Sequence, residues 1–340
     1  MEMMDSSDEN LRKAGAAIAA GKLVVIPTET VYGLGADAFN PDAVARVFEA
    51  KRRPAFDPLI IHISRLDDIE RIATSFPPKA RLLAEALWPG PLTMILPKRP
   101  EVPDIVTSGL DTAAVRFPVH PVARKIIEYS GTVVAAPSAN PFGYISPTTA
   151  QHVAKTLGDR VDFIVDGGPC AVGVESTVID MTRDIPAVLR PGGMPLERIR
   201  DIIGEVLIPG KKGGLIASPG QLKSHYAPRA TLYLHPWNSL PNALRQALPG
   251  GVAADPSAAP MAMAAIVFDA SRASILAESG LFGRIDVLSE RGDMREAASR
   301  LFALLHELDA AGFGIIHAER VPEEGLGRAI NDRLYRASKK

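Results

Sequence analysis

From residue 11 onward, short β-rich apolar runs alternate with amphipathic stretches of helix length. That alternation is the pattern of an α/β or mixed-sheet domain. Residues 11–20 read as a helix. Leu23-Val24-Val25-Ile26 reads as a buried strand closed by Pro27, delivering 28–35 as a loop at its carboxyl end, the end at which α/β sheets gather ligands. Asn40-Pro41 is an N-cap followed by proline at the first helical position, and Val44, Val47 and Phe48 then share a face. A helix over 41–51, ending on Lys51, is predicted. Further strands are predicted at 59–63, 92–96, 113–117, 133–136, 163–165, 177–179 and 187–189. Helices near 78–87, 121–129, 148–157 and 196–203 separate several of them.

Ile208-Pro209-Gly210-Lys211-Lys212-Gly213-Gly214 breaks the pattern with turn formers and charge, so a linker is expected to start there. A second α/β pattern follows, with strands near 231–234, 264–268 and 313–317 and a helix at 294–310. Residues 249–263, rich in Ala, Pro, Gly and Met, read as a mobile connection. The expected division is a catalytic domain over 11–205, a linker or lid over 206–229, and a C-terminal α/β domain over 230–340.

Composition adds limits. The chain has 340 residues, 46% hydrophobic and 23% charged, enough for two ordinary cores. No apolar run reaches the roughly eighteen residues needed to span a bilayer, and the acidic opening lacks the basic region of a secretory signal, so a cytoplasmic protein is expected. Cys170 is the only cysteine, which rules out an intrachain disulfide or a cysteine-based metal cluster. A net charge of −1 disfavours a protein whose main task is gripping a long nucleic-acid backbone, although brief RNA contact stays open.

The densest chemical signal is Lys51-Arg52-Arg53-Pro54, followed by Asp57-Pro58 and His62. A basic cluster stiffened by prolines after a helix suits a polyanion such as a triphosphate, though a run of solvated surface charge has the same spelling. Ala135-Ala136-Pro137-Ser138-Ala139-Asn140-Pro141 is a strand running into a loop of small residues. There phosphates can approach the backbone while Ser and Asn donate; Ser-Ala-Asn-Pro is also an ordinary turn. Ser146 lies just downstream. Gly173-Val174-Glu175-Ser176-Thr177 and Leu189-Arg190-Pro191-Gly192 place polar side chains beside strands. Arg116, amid apolar strand neighbours, needs an anion from protein or ligand. P-loop, dinucleotide, zinc-protease and esterase motifs are absent.

Taken in order, Pro27-Thr28-Glu29-Thr30-Val31-Tyr32-Gly33-Leu34, Lys51-x-Arg53, His62, Trp88-Pro89-Gly90-Pro91-Leu92-Thr93, Arg116, Ser138-x-Asn140 and Arg190-Pro191-Gly192 resemble the YrdC-like threonylcarbamoyl-AMP synthases. The likeness continues through Ser218-Pro219-Gly220 and His225-Tyr226-Ala227-Pro228 to Gly325-Leu326-Gly327-Arg328-Ala329-Ile330, matching the long, two-domain form.

The resemblance implies a twisted mixed-sheet catalytic domain plus a smaller Rossmann-like α/β domain. It implies condensation of L-threonine, bicarbonate and ATP, with Mg2+, into threonylcarbamoyl-AMP and pyrophosphate. The product would pass to a separate tRNA threonylcarbamoyl transferase complex that modifies tRNAs reading codons beginning with A, with at most transient tRNA contact by this chain. Lys51, Arg53, Ser138 and Asn140 would hold the triphosphate, with Asp57, Thr112, Ser146, Arg190 and a lid residue, Tyr226, around the nucleotide. Thr28, Thr30, His62, Arg116 and Ser176 would form the threonine pocket. Members of the family often carry Asn where this chain has Asp57. That carboxylate would repel a triphosphate unless it contacts Mg2+, ribose or Arg53.

Overall fold

Among the described residues, two sheets account for the strands. The structure is a computed structural model and describes residues 1–208, 225–240 and 263–340. The chain divides into two units, Met1–Phe142 with Ser146–Leu222, and Gly143–Ile145 with Lys223–Lys340. The linker expected from residue 208, apart from Ile208 itself, and nearly all of the connection expected at 249–263 lie outside the described residues.

Among its described residues the first unit carries ten strands: β1 (Glu2–Met4), β2 (Val24–Ile26), β3 (Gly33–Asp37), β4 (Ile60–His62), β5 (Leu92–Pro97), β6 (Thr112–Arg116), β7 (Val134–Ala135), β8 (Phe163–Val165), β9 (Thr177–Asp180) and β10 (Ala187–Arg190). They form one mixed sheet in the order β1-β8-β2-β3-β7-β4-β6-β5-β9-β10. Its helices are α1 (Asp8–Ala19), α2 (Pro41–Lys51), α3 (Pro78–Leu87), α4 (Asp104–Thr107), α5 (Pro121–Ser130), α6 (Ala150–Thr156) and α7 (Leu196–Ile203). Helices α1 and α5 bury Leu11, Ala14, Ile18, Ile126 and Ile127 with Val24, Ile26 and Val134. A larger core gathers Val44, Val47, Leu83, Ile61, Met94 and Val115. Because side chains alternate along a strand, the alternate positions Ile60, Ile95, Ala114 and Val178 form a separate small apolar cluster.

Two strands run against the local pattern. β1 lies in the acidic opening, and β3 occupies part of the stretch expected to be a loop. Glycine is a poor strand former, yet β3 contains Gly33 and Gly35. A Cβ at Gly35 would come within 3.0 Å of Val134 Cγ1 and the Val24 carbonyl oxygen, so the missing side chain lets neighbouring strands close on it.

In the second unit β11 (Thr231–His235), β12 (Met263–Val267), β13 (Arg284–Val287) and β14 (Ile315–Glu319) pair in the order β11-β14-β12-β13, all parallel. Helices α8 (Ala270–Ala277), α9 (Met294–Ala310) and α10 (Gly327–Ala337) accompany them. Asp269 and Asp293 cap α8 and α9 by accepting main-chain N–H bonds, each such cap being worth about 1 kcal/mol. α8, β13 and α10 are additions to the elements that the pattern predicts. Among the described residues no helix is long and apolar enough to cross a membrane.

Candidate active site

Helix α2 positions the basic cluster. Asn40 Oδ1 accepts from the N–H groups of Asp42 and Ala43, 3.1 Å each, starting the helix where the proline allows it. Arg52 closes it in the left-handed region at φ 53°, and the Arg53 N–H then bonds the Phe48 carbonyl at 2.9 Å. This turn separates two side chains that the sequence placed together. Lys51 is 1% exposed, and its ammonium donates to the main-chain carbonyls of Ser138 and Asn140, 2.5 Å each. Burial, with Arg53 adding to it, pushes its pKa well below the ordinary lysine value.

Arg53 bends back on its own loop. Nε donates to the Asp57 carbonyl at 2.9 Å, Nη2 to the Pro58 carbonyl at 3.0 Å, and Nη2 lies 2.8 Å from Asp57 Oδ2. Asp57 is fully buried, and burial raises its pKa against the opposing pull of Arg53, Lys51 and Arg190. Of the three contacts that would reconcile an aspartate with a neighbouring triphosphate, the folded chain makes the one to Arg53.

The Ser138/Asn140 loop is tied to the segment after β2. The Leu34 N–H bonds the Pro137 carbonyl and the Ala139 N–H bonds the Tyr32 carbonyl, both at 2.8 Å. The Phe142 N–H bonds the Lys51 carbonyl, also at 2.8 Å. Main-chain bonds therefore join α2, this loop and the Thr28–Leu34 segment.

The second cluster sits on strand ends. His62 closes β4 and Arg116 closes β6; they are register partners, and Thr93 of β5 pairs with Arg116 from the other side. Arg116 is 4% exposed, with Nη1 donating to Thr30 Oγ1 at 2.8 Å and Nη2 to Glu29 Oε1 at 2.6 Å. The anion that a buried Arg116 requires is thus supplied within the protein, by Glu29. Thr28 Oγ1 lies 2.9 Å from Thr30 Oγ1 and donates to the Val31 carbonyl at 2.5 Å. His62 Nδ1 lies 3.2 Å from the Ile60 carbonyl, and burial, reinforced by Arg116, lowers its pKa to about 3, so the ring is neutral at pH 7.

Ser176 and Arg190 extend this row. Ser176 Oγ is 2.7 Å from Thr93 Oγ1, and Arg190 Nη2 donates to the Ser176 carbonyl at 2.9 Å and its hydroxyl at 3.2 Å. A Cβ on Gly192 would lie 2.3 Å from the Ser176 carbonyl carbon, which explains the glycine of Arg190-Pro191-Gly192: two backbones touch there. Ser146 is fully buried and donates to Glu175 Oε1 at 2.5 Å. Glu175 acts electrostatically on Lys51 and Arg190 on Asp57, so the two clusters share one field.

Thr112 lies apart, at the start of β6, four residues or about 13 Å from Arg116 but on the same sheet face. Tyr226 belongs to the second unit, where it is 1% exposed, 5.7 Å from the Phe302 ring and 5.0 Å beneath the Arg333 guanidinium. Cys170 is buried and its thiol pKa is pushed up by burial, the setting of an inert thiol. Glu29, Thr93 and Glu175 join the site although spacing along the chain assigns them no role; the available signal is a polar residue inside a strand, for Thr93, or in a loop leading from or into one, for Glu29 and Glu175.

Comparison with known proteins adds a lineage to this geometry. Residues 16–192 match the Sua5_yciO_yrdC profile, described as "Telomere recombination", and residues 194–339 match "Threonylcarbamoyl-AMP synthase, C-terminal domain". The chain is 42% identical to the threonylcarbamoyl-AMP synthase of Pyrococcus abyssi, over 96% of this chain and 94% of that one. It is 37% identical to that of Bacillus subtilis, over 98% and 94%. The crystal structure of P. abyssi Sua5 complexed with L-threonine superposes with a TM-score of 0.88 at 40% identity, covering 99% of this chain and 98% of that one. The chain belongs to the Sua5/YciO/YrdC family, in the form that carries the additional C-terminal domain.

Proposed function

We propose that this protein condenses L-threonine, bicarbonate and ATP into threonylcarbamoyl-AMP and pyrophosphate. The observation that carries the reading is the pairing, within one unit, of a buried Lys51/Arg53 cluster with the buried Arg116, His62 and Thr93 row. Whole-length likeness to threonylcarbamoyl-AMP synthases supports it, as does likeness to a relative crystallised with L-threonine.

Threonine's amine and bicarbonate would give a carbamate with loss of water, and a carbamate oxygen would attack the α-phosphorus of ATP in line, breaking its bond to pyrophosphate. The protein's task is then positioning and charge neutralisation. Lys51 and Arg53 would face the departing pyrophosphate. Their present partners are a pair of carbonyl oxygens and Asp57, so phosphate oxygens would recruit cations already held in place. Ser138, Asn140, Ser146, Arg190 and Thr112 would line the nucleotide. Arg116 would take the threonine carboxylate in a two-pronged contact, with Thr28, Thr30, His62 and Ser176 around the rest of the amino acid.

Mg2+ fits as an ion carried by ATP, held mainly by phosphate oxygens and water. Asp57, its Oδ2 engaged by Arg53, is the buried carboxylate of the basic cluster that could join it. Bound Mg2+ would neutralise charge on the phosphates. The product would serve a separate transferase acting on tRNAs that read codons beginning with A, in the cytoplasm.

The test is pyrophosphate release from MgATP with and without L-threonine and bicarbonate, coupled to detection of threonylcarbamoyl-AMP. Dependence on both is expected. ATP turnover indifferent to threonine would refute the reading.

A further inference from the structure

Glu29 and Arg116 form an ion pair in which neither member is saturated. Oε1 and Nη2 are 2.6 Å apart, with the side chains 7% and 4% exposed. Arg116 Nη1 is occupied by Thr30 Oγ1 at 2.8 Å. Glu29 Oε2 and Arg116 Nε have no hydrogen-bond partner among the described residues. A buried carboxylate oxygen and a buried guanidinium N–H without partners are costly, and here the two sit on the same pair, one short of a donor and the other short of an acceptor.

An α-amino acid zwitterion is complementary to that deficit. Its ammonium offers three donors and its carboxylate two acceptor oxygens, held one carbon apart. We infer that Glu29 binds the α-ammonium of the amino-acid substrate while Arg116 holds the carboxylate. Glu29 is thereby a specificity-determining residue of the pocket. The inference rests on the reading above that Arg116 anchors threonine.

The pairing also sets what the pocket refuses. Before binding, each charge is compensated by the other, so neither side chain is left as an isolated buried ion. A zwitterion replaces one internal pair with two matched contacts and adds no net charge. A simple carboxylate would compete with Glu29 for Arg116 and leave an uncompensated anion behind, and a simple amine would do the converse. Selection for an amino acid over the corresponding hydroxy acid or amino alcohol follows, with the cost of a buried unpaired charge as the discriminating force.

The competing reading is that Glu29 only neutralises Arg116 and never touches substrate. Titration calorimetry on the full-length protein separates the two, using L-threonine, (R)-3-hydroxybutyrate, which lacks the amine, and 1-aminopropan-2-ol, which lacks the carboxylate. The wild type should bind threonine at least about thirtyfold more tightly than either analogue. Glu29→Gln should weaken threonine by at least about thirtyfold while binding 3-hydroxybutyrate more tightly than the wild type does, since no carboxylate then competes for Arg116. Thermal melting would confirm that the variant is folded; should it fail to fold, Glu29→Asp, which keeps the charge and shortens its reach, takes its place in the same comparison. Threonine affinity within twofold of wild type in a folded Glu29→Gln protein would overturn the inference, and so would equal wild-type affinity for threonine and 3-hydroxybutyrate. A wild type that binds no threonine would instead overturn the parent reading, and this one with it.

Discussion

Lys51 Nζ donates to the main-chain carbonyl oxygens of Ser138 and Asn140, two residues 87 and 89 positions further along the chain, at 2.5 Å each. The lysine is thus part of the loop's construction as well as a candidate phosphate ligand. An ammonium this buried has its pKa pushed down by desolvation, and a polyanion arriving beside it would restore the charged form.

Lys51→Met keeps most of the volume and removes the donor. Two buried carbonyls then lose their partner, so urea denaturation should show a loss of about 1–3 kcal/mol. Threonine-dependent pyrophosphate release should fall at least about a hundredfold. Activity within tenfold of wild type would contradict the assigned role.

Arg53 and Asp57 should respond unequally to removal. Arg53→Met strands a fully buried carboxylate and should cost about 3–5 kcal/mol. Asp57→Asn preserves the Arg53 bonds to the carbonyls of residues 57 and 58 and should cost about 1 kcal/mol. Removing negative charge beside the cluster should leave the KM for ATP no higher than in the wild type. Thermal melts and steady-state kinetics on the two variants check both halves.

Gly192→Ala should be severe for so small a change. Its Cβ would meet the Ser176 carbonyl carbon at 2.3 Å and the carbonyl oxygens of Glu175 and Ser176 at 2.4 Å. Those are backbone atoms that cannot rotate away. A destabilisation of about 2–3 kcal/mol is expected, together with a raised KM for threonine as Ser176 shifts. A melting temperature equal to wild type would show that the two segments separate easily.

His62 makes the fold acid-sensitive. Its folded-state pKa is about 3 and its ordinary value 6.5, so between these values the unfolded chain binds a proton that the folded one does not. Stability contributed by the neutral ring is present above pH 6.5 and is lost as pH falls toward 3, by at most about 1.4 kcal/mol per pH unit. In urea titrations at pH 7 and pH 5, His62→Gln should lose less stability on acidification than the wild type. Equal losses would place the acid sensitivity elsewhere.

Local periodicity and punctuation were enough for most of the first unit. Helix α2 begins at Pro41 and ends at Lys51 as the N-cap, proline and apolar stripe dictate, and α3 and α7 also keep their predicted bounds. The order of short motifs was enough for the family. The glycines of β3 look like a turn in the sequence, and their reason, close approach to Val24 and Val134, is not a local property.

What the chain determines by itself is which faces are buried and which side chains must find counter-charges, since these follow from spacing and from the cost of dehydrating an ion. Arg116 could be recognised as needing an anion. That the anion is Glu29, that Asp57 is neutralised by Arg53, and that Lys51 fastens the loop at 138–140 were decided by tertiary structure. Sheet order puts β6 between β4 and β5, so the neighbours of a strand end are chosen by hydrogen-bonded pairing across the sheet, and spacing along the chain carries no record of that choice.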